Sequence, residues 1–319
     1  MSKKILVTAS RYSQLCTAGK AMLEAKGYEI MENTTGKRYS TAQLKEIIPD
    51  IDGVIVGLDD WNEEVFKVAK KLKILAKFGV GYDNIDVSKA REYGILTTIA
   101  RGQNASAVAE MAVAQILACV RNLCGFNETV RTGYWDRTLH HELEGMTVGL
   151  LGFGMIARKT ARMLSGFDVH VIASDKYPNA EEADKLHVDM VSFDDVITES
   201  DVISLHIPGT PENHHLIDAG QISKMKDGAF LVNTSRGSLI DLEALKQALE
   251  SGKLAAAGLD VYEKEPADES EEMFRTVNTV CTPHCAGKTF EAYQKISIHT
   301  AQAVIDVLEG RLPQDIVTE

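Results

Sequence analysis

The sequence predicts an α/β protein of two domains, each a Rossmann-like or flavodoxin-like parallel sheet covered by helices, with a cleft between them. Two observations lead to this prediction. Short apolar runs alternate with helical patterns over residues 1–100, and the same alternation starts again at Thr147. Between them, Ala105–Val120 is apolar on nearly every face, which indicates a buried helix that joins the two halves. The predicted domains are residues 1–100 with 290–319, and residues 101–289.

The first half shows four short apolar runs separated by helical patterns. The runs predict strands over residues 5–8, 51–56, 74–77 and 95–98, and the segments between predict helices over residues 15–26, 42–48, 63–69 and 87–93. Residues 290–308 have helical periodicity again. We expect this last helix to return to the first half, which would make that domain discontinuous.

The second half repeats the alternation. Apolar runs predict strands over residues 148–151, 169–174, 188–191, 202–205, 230–233, 255–259 and 279–281. Helices are predicted over residues 155–164 and 239–249, the second with Asp241 near its start and Gly252 just past its end. Parallel sheets of this kind bind ligands outside the carboxyl ends of their strands, so polar residues that follow these strands are the candidate functional residues.

Composition limits the kind of partner. A chain of 319 residues with a formal net charge of −12 is poorly suited to nucleic acid as its main partner. No apolar run approaches the length of a membrane span, and the apolar run near the N-terminus stops after Val7, too early for a signal peptide. Five cysteines without framework spacing suit reduced thiols. We expect a cytoplasmic protein that binds neither nucleic acid nor a membrane.

A glycine-rich turn organises the second half. Gly152-x-Gly154-x-x-Ala157 follows an apolar run and precedes the helix predicted from Met155. The first glycine permits a tight turn, the second lets the backbone approach a pyrophosphate, and the small third residue allows helix–strand packing. The helix N-terminus behind the turn offers N–H groups to phosphates. The alternative is a packing turn with no nucleotide, but strand, turn, helix, strand and acid in this order favour a dinucleotide site.

The acid in that series is Asp175, which ends the next predicted strand. It lies 18 positions after Ala157 (175 − 157), close to the spacing of about 20 expected for a carboxylate that holds the ribose hydroxyls. Such a carboxylate repels a 2′-phosphate and favours NAD over NADP. Lys176 beside it weakens that argument slightly. The predicted cofactor is NAD.

Three more strand ends carry polar groups, in N-T-S-R-G (233–237), D-V-Y-E-K-E-P (260–266) and C-T-P-H-C-A-G (281–287). Together with the glycine turn and K-F-G-V-G-Y-D-N-I-D (77–86), they resemble the D-isomer-specific 2-hydroxyacid dehydrogenases. That family includes phosphoglycerate, glyoxylate/hydroxypyruvate and D-lactate dehydrogenases. Each motif alone is common in ordinary turns, but four occur in the family's order, and the resemblance covers nearly the whole chain.

The resemblance implies three catalytic residues, Arg236, Glu265 and His284. Reduction of a 2-oxo acid places a hydride on C2 and a proton on oxygen, and histidine titrates in the right range to supply that proton. A carboxylate at its second nitrogen fixes the tautomer and stabilises imidazolium. Arginine can hold the substrate carboxylate with a bidentate geometry that lysine lacks.

The resemblance also implies the ligand contacts. Asp260 resembles the residue that binds the nicotinamide carboxamide, and the loop around His206 resembles the wall of the adenine–ribose pocket, where His206 is expected to be structural or a backbone contact. The predicted cofactor-binding residues are Gly152, Gly154, Met155, Ile156, Asp175, His206, Pro208, Thr234 and Asp260. In the first domain, expected to bind the substrate, the backbone N–H groups of Val80 and Gly81 are candidates for holding its carboxylate.

Arg101 departs from the family pattern, which usually has proline there. Arg101 lies at the predicted domain junction, and Arg11 and Lys77 lie at the ends of predicted strands of the first sheet. Together the three could recognise a phosphate or a second carboxylate on the substrate. The alternative, slightly favoured, is that Arg101 pairs with a surface acid.

The pattern Cys281-x-x-His284-Cys285 could indicate a zinc site. However, no second cluster supplies a fourth ligand at structural-zinc spacing. We expect no metal. The paired histidines at 140–141 and 214–215 lie in loop-like sequence and are interpreted as surface residues.

The functional hypothesis is an NAD-dependent D-2-hydroxyacid dehydrogenase in which His284 acts as general acid and base. Phosphohydroxypyruvate/3-phosphoglycerate and hydroxypyruvate/glyoxylate are the candidate substrates. Glu265 argues against the formate dehydrogenases of the superfamily, which have glutamine there. The alternative is an NADH-sensing, corepressor-like binding protein of the same fold. The resemblance further suggests a homodimer, with residues 133–135 in the contact.

Overall fold

A computed structural model describes residues 2–267 and 278–318. The chain divides into two compact units, one formed by residues 1–104 and 288–319 and the other by residues 105–287. These limits lie a few residues from the predicted boundaries at 100 and 290. The first unit is therefore assembled from two separate stretches of chain.

The first unit has a parallel sheet of five strands in the order β2-β1-β3-β4-β5, the flavodoxin-like order. The strands are β1 (Lys4–Val7), β2 (Glu29–Glu32), β3 (Gly53–Val56), β4 (Ile74–Lys77) and β5 (Leu96–Ile99). The helices are α1 (Tyr12–Leu15), α2 (Thr17–Ala25), α3 (Thr41–Ile47), α4 (Glu63–Phe66), α5 (Val87–Glu92) and α13 (Phe290–Leu308). Strands β3 and β4 are buried throughout because helices cover both faces of the sheet.

The C-terminal helix α13 completes this unit by packing against α2. Gly19 of α2 makes the approach possible, because a Cβ there would collide with the backbone carbonyl of Ser297. Residues 15–26 were predicted as one helix, but the helical stretch is split at Cys16 into α1 and α2. Strand β2 was not predicted, since its residues alternate between exposed and half-buried and form no apolar run.

The second unit has a parallel sheet of seven strands in the order β12-β11-β10-β9-β6-β7-β8, a Rossmann-like order. The strands are β6 (Thr147–Leu151), β7 (His170–Ser174), β8 (Asp189–Met190), β9 (Val202–Leu205), β10 (Ala229–Asn233), β11 (Leu254–Leu259) and β12 (Thr279–Cys281). The helices are α6 (Ala105–Val120), α7 (Leu123–Arg131), α8 (Met155–Leu164), α9 (Ala180–Leu186), α10 (Phe193–Glu199), α11 (Ala219–Lys224) and α12 (Leu242–Glu250). The predicted fold class, two parallel α/β sheets, is confirmed.

Helix α6 is the buried helix that the sequence predicts. Its residues Val108, Ala112 and Ile116 are at most 6% exposed, and the helix packs against β10, β11 and α8. Helix α12 starts later than predicted: the side chain of Asp241 caps it by accepting from the N–H groups of Glu243 and Ala244, and Leu239 belongs to a short 3-10 turn.

No single helix in residues 2–267 and 278–318 combines the length and apolar character needed to cross a bilayer. Helices α6 and α7 meet that criterion only when taken together, and a bend of 65° separates them.

Candidate active site

The glycine turn lies at the switch point of the seven-stranded sheet, where β6 has β7 on one side and β9 on the other. Gly152 has a φ of 93°, and a Cβ there would meet the backbone carbonyl of His206 at 2.5 Å. Glycine is therefore required at this position. Gly154 caps α8, and a Cβ there would meet no atom within 4 Å. The open space above Gly154 is where a pyrophosphate can approach the helix N-terminus.

Asp175 follows β7 and faces this turn. Its Oδ2 accepts from the N–H of Phe153 at 2.6 Å, and its Oδ1 accepts from the N–H of Tyr177 at 2.7 Å. The carboxylate thus fixes the turn while the residue remains half-buried. Its negative charge is placed beside the glycine turn, where the sequence predicts recognition of ribose hydroxyls.

Two buried polar atoms near this switch point lack partners among residues 2–267 and 278–318. They are Nδ1 of His206, in the loop after β9, and Oγ1 of Thr234, after β10. Burial of the imidazole lowers the pKa of His206 to about 4, so the ring is neutral near pH 7. Such orphaned atoms, together with the open turn at Gly154, fit a polar cofactor.

Three other predicted cofactor residues follow the carboxyl ends of the neighbouring strands β6 and β9. Met155 is 46% exposed, Ile156 is half-buried, and Pro208 is exposed. The second unit therefore brings together the glycine turn, Asp175 and the His206 loop.

Arg236 lies in the loop after β10, and that loop is held by side-chain hydrogen bonds. Asn233 donates from Nδ2 to the carbonyl of Arg236 at 2.8 Å, and Ser235 donates from Oγ to the carbonyl of Leu205 at 2.8 Å. The guanidinium donates from Nη1 to the carbonyl of Ser235, and the residue is half-buried. The next residue, Gly237, packs so tightly on the Tyr262–Glu263 peptide that a Cβ would collide with it.

His284 and Glu265 form a pair, as the resemblance implies. Nδ1 of His284 lies 2.7 Å from Oε2 of Glu265, and Oε1 of Glu265 accepts from the N–H of Tyr262 at 3.2 Å. The imidazole side chain is 48% exposed and the glutamate side chain 31%. Since Nδ1 is held by the carboxylate, Nε2 is the ring nitrogen that can exchange a proton with a ligand.

The Asp260 carboxylate, for which a contact with the nicotinamide carboxamide is predicted, is held by hydrogen bonds from its own chain. The residue is fully buried, and its Oδ1 accepts from Thr282 Oγ1 at 2.5 Å and from the N–H of Cys285 at 2.9 Å. Its Oδ2 accepts from the N–H of Ala286 at 2.8 Å. These bonds are all made to the segment that carries His284, so the structure gives Asp260 a positioning role.

The ligand atoms of the possible zinc pattern do not lie close enough together to bind one ion. Within residues 2–267 and 278–318, Cys281, His284 and Cys285 form no group whose ligand atoms could share one ion. His284 instead directs Nδ1 at a carboxylate.

The loop that contains Val80 and Gly81 follows β4 in the first unit, and both residues are half-buried. Lys77, at the end of β4, is 5% exposed and donates from Nζ to the carbonyl of Gly57 and to Oδ1 of Asn84, at 2.5 and 2.7 Å. Its ammonium is thus engaged in holding neighbouring loops. This placement contradicts the expectation that Lys77 presents a charge to a second anion.

The other two candidate cations also have protein partners. Arg101 donates from Nε to Oδ1 of Asp315 at 3.2 Å, which is the surface pairing that the sequence slightly favoured. Arg11 has a φ of 59° and donates from Nε to Gln14 at 3.1 Å. The structure therefore directs Arg11, Lys77 and Arg101 to three different partners.

Sequence reasoning missed two supporting residues. Asn84 links Lys77 to the carbonyl of Asp59 through its own Nδ2, and Ser204 lies with Oγ 3.1 Å from Nε2 of His206. The only sequence signal for either was proximity to a motif, since Asn84 falls inside the 77–86 segment and Ser204 stands two residues before His206.

Comparison with known proteins identifies the family. Residues 113–286 match the family model described as D-isomer specific 2-hydroxyacid dehydrogenase, NAD binding domain. The chain belongs to the D-isomer-specific 2-hydroxyacid dehydrogenase family. NAD is its cofactor, and it is an oxidoreductase of the class that acts on CH–OH groups.

Several named relatives agree with this assignment. The chain is 38% identical to a hydroxypyruvate reductase of Thermotoga maritima, covering 86% of this chain and 90% of the relative. It is 34% identical to a glyoxylate reductase of Thermococcus litoralis, covering 100% and 98%. It is 37% identical to a D-3-phosphoglycerate dehydrogenase of Archaeoglobus fulgidus, covering 85% of this chain and 52% of the relative. The chain thus spans about half the length of that dehydrogenase.

A solved structure shares the whole fold. The crystal structure of the TT0316 protein from Thermus thermophilus has a TM-score of 0.90 and 32% sequence identity, covering 99% of this chain and 100% of the other.

Proposed function

We propose that this protein reduces a short 2-oxo acid to the D-2-hydroxy acid with NADH, and that His284 supplies the proton. The observation that carries the proposal is the 2.7 Å contact between Nδ1 of His284 and Oε2 of Glu265. A histidine oriented by a carboxylate is the arrangement expected of a general acid and base that must return to its starting state in each cycle.

Each of the three candidate catalytic side chains has a distinct task. NADH supplies the hydride when bound. His284 donates a proton from Nε2 to the carbonyl oxygen of the substrate, and Glu265 stabilises the imidazolium from which that proton leaves. Arg236 binds the substrate carboxylate and so positions C2 of the substrate for hydride transfer. This role suits a planar guanidinium better than an ammonium.

Among the candidate substrates, hydroxypyruvate and glyoxylate are favoured over phosphohydroxypyruvate. The two relatives matched over nearly their full length are named for the first two acids. In addition, Lys77 is buried in contacts with Gly57 and Asn84, and Arg101 pairs with Asp315, so these cations already have partners. A phosphorylated substrate would need a second cationic subsite.

We also propose a homodimer in the cytoplasm. The segment that follows α7 exposes Tyr134 (67%), Trp135 (76%) and Leu139 (93%), an apolar surface that a second copy of the chain could cover. The five cysteines lack the spacing of a disulfide framework, which suits a reducing compartment. Sedimentation of the wild-type protein and of Trp135→Ser would test the dimer, and a wild-type monomer would refute it.

The test of the function is NADH oxidation by the purified protein against glyoxylate, pyruvate, hydroxypyruvate, oxaloacetate, 2-oxoglutarate and phosphohydroxypyruvate. NADPH and His284→Ala serve as controls. We expect turnover of hydroxypyruvate or glyoxylate that is lost in the alanine variant. Tight NADH binding without turnover of any acid would instead favour the NADH-sensing alternative.

A further inference from the structure

Two neighbouring histidines that the mechanism does not use meet one glutamate on the surface of the second unit. Nε2 of His214 lies 3.1 Å from Oε1 of Glu263, and Nε2 of His215 lies 3.6 Å from Oε2 of the same carboxylate. The two imidazoles stack with centroids 3.9 Å apart and an angle of 27° between their planes. Both rings therefore turn the same nitrogen towards one carboxylate.

We propose that His214, His215 and Glu263 form a binding site for a divalent transition-metal ion. Their ligand atoms all lie within 4.8 Å of one another. Nitrogen and oxygen ligands sit about 2.0–2.2 Å from a tetrahedral zinc ion, which places two ligand atoms roughly 3.4 Å apart. The two observed nitrogen–oxygen separations, 3.1 and 3.6 Å, are close to that value, and the two imidazole ligand atoms lie within 4.8 Å of each other.

The chemistry of the donors selects the ion. Two imidazoles and one carboxylate suit Zn²⁺, Co²⁺, Ni²⁺ or Cu²⁺, whereas Mg²⁺ and Ca²⁺ prefer oxygen ligands alone. Three protein ligands leave further positions for water. Nε2 of His215 has almost no exposed surface and, among residues 2–267 and 278–318, no hydrogen-bond partner. A metal ion would supply the partner that this nitrogen lacks.

The backbone on both sides of the site is already held in place. The N–H of His215 donates to the carbonyl of Ser238 at 2.8 Å, and Nδ2 of Asn213 donates to the carbonyl of Pro208 at 2.9 Å. On the other side, the hydroxyl of Tyr262 donates to the carbonyls of Leu259 and Thr282 at 3.2 and 3.0 Å. Preorganised ligands lose little freedom on binding, which favours affinity.

The ion would join the loop before Ile217 to the segment that carries Glu265. The histidines and the glutamate are 49 and 48 positions apart in sequence (263 − 214 and 263 − 215), which is why no metal was predicted from ligand spacing. The site goes beyond the dehydrogenase function and does not rest on it. A bound ion would hold these two segments together and stabilise the folded protein. The test therefore measures metal binding and stability, and does not depend on enzyme turnover.

The experiment is calorimetric titration of untagged, chelator-treated full-length protein with Zn²⁺, repeated with Mg²⁺. We expect one Zn²⁺ per chain, no Mg²⁺ binding, and a higher Tm at saturating Zn²⁺. Glu263→Gln and the double variant His214→Ala/His215→Ala should each bind at least about tenfold more weakly, since even outer residues of metal sites are worth that much. Bound Co²⁺ should show visible absorption bands that both variants lose.

Two matched controls decide the location. His170→Ala removes another surface histidine of the same unit, which pairs with Asp189 at 2.7 Å, and should leave the affinity unchanged. Cys281→Ser/Cys285→Ser removes the thiols of the alternative pattern and should also leave it unchanged. Absence of saturable Zn²⁺ binding would overturn the proposal. So would wild-type affinity in Glu263→Gln and the double histidine variant, or an equal loss in either control.

Discussion

The backbone N–H of His284 donates to the backbone carbonyl of Asp260 at 2.7 Å, and the Asp260 carboxylate accepts from the backbone N–H groups of the next two residues, Cys285 and Ala286. The same carboxylate accepts from the hydroxyl of Thr282. His284 itself has a φ of 49°, a left-handed conformation that costs energy in a non-glycine residue. The buried aspartate thus stabilises the conformation that aims the histidine at Glu265.

Asp260→Asn tests this positioning role. An amide accepts through one oxygen only, so the N–H groups of residues 285 and 286 cannot both be satisfied and His284 should lose its fixed orientation. We expect kcat to fall about tenfold to a hundredfold, with the Kd for NADH changed less than about threefold. Thr282→Val, which removes a single bond to the carboxylate, serves as the milder control. A large loss of NADH affinity with kcat retained would indicate direct contact with the cofactor instead.

Asp175→Asn tests the choice of NAD. The amide oxygen can still accept from the N–H of Phe153 on the glycine turn, whereas the N–H of Tyr177 loses its acceptor. The substitution also removes the charge that repels a 2′-phosphate. We expect kcat/KM with NADH to fall and kcat/KM with NADPH to rise, so that their ratio shifts at least about tenfold, or about 1.4 kcal/mol. Lys176→Gln, which changes the neighbouring charge and keeps the Asp175 carboxylate, serves as the control. An unchanged ratio in Asp175→Asn would show that the carboxylate does not set cofactor choice.

His206 makes stability depend on pH. Burial lowers its pKa from 6.5 to about 4 in the folded protein, so the unfolded chain binds more protons between these values. The contribution of His206 to stability is therefore greatest above pH 6.5 and declines as the pH falls towards 4. A pKa difference of this size corresponds to roughly 3 kcal/mol in the free energy of unfolding.

Urea unfolding of the wild type and of His206→Gln between about pH 7.5 and 4.5 measures this contribution. We expect the glutamine variant to lose less stability than the wild type as the pH falls. Parallel pH profiles for wild type and His206→Gln would contradict a neutral, buried imidazole.

Gly237→Ala tests the contact between the loop of Arg236 and the segment of Glu265. A Cβ at this position would collide with the Tyr262–Glu263 peptide, so the two backbones must separate. We expect a loss of about 1–3 kcal/mol in the free energy of unfolding and a lower kcat. Gly166→Ala is the matched control, because the φ of Gly166, like that of Gly237, lies outside the left-handed region, and no atom lies within 4 Å of its would-be Cβ. Equal activity in Gly237→Ala and the wild type would show that this contact does not position Arg236.

The features that could be predicted were those encoded locally. The strand, glycine turn, helix, strand and Asp175 lie within a short stretch, and the structure places Asp175 on the glycine turn. His284 and Glu265 are 19 positions apart, and only resemblance to a family suggested that they pair. Strand β2 was missed because an edge strand needs no continuous apolar run.

Roles that depend on distant backbone could not be predicted. The partners of the Asp260 carboxylate include two backbone N–H groups, which have no signature in sequence. Arg101 finds its acid 214 positions away at Asp315, after α13 has returned to the first sheet. Lys77 looked like a strand-end cation, yet Asn84 and the carbonyl of Gly57 hold it inside the unit.

The central claim is proton transfer by a carboxylate-oriented His284, and steady-state kinetics of His284→Ala and Glu265→Gln with NADH and hydroxypyruvate tests it most directly. General acid catalysis is worth about 10²- to 10⁴-fold, so we predict a loss of that size in kcat for His284→Ala and a smaller loss for Glu265→Gln. The Kd for NADH, measured by fluorescence titration, should stay close to the wild-type value in both. Retention of wild-type kcat by His284→Ala would contradict the account.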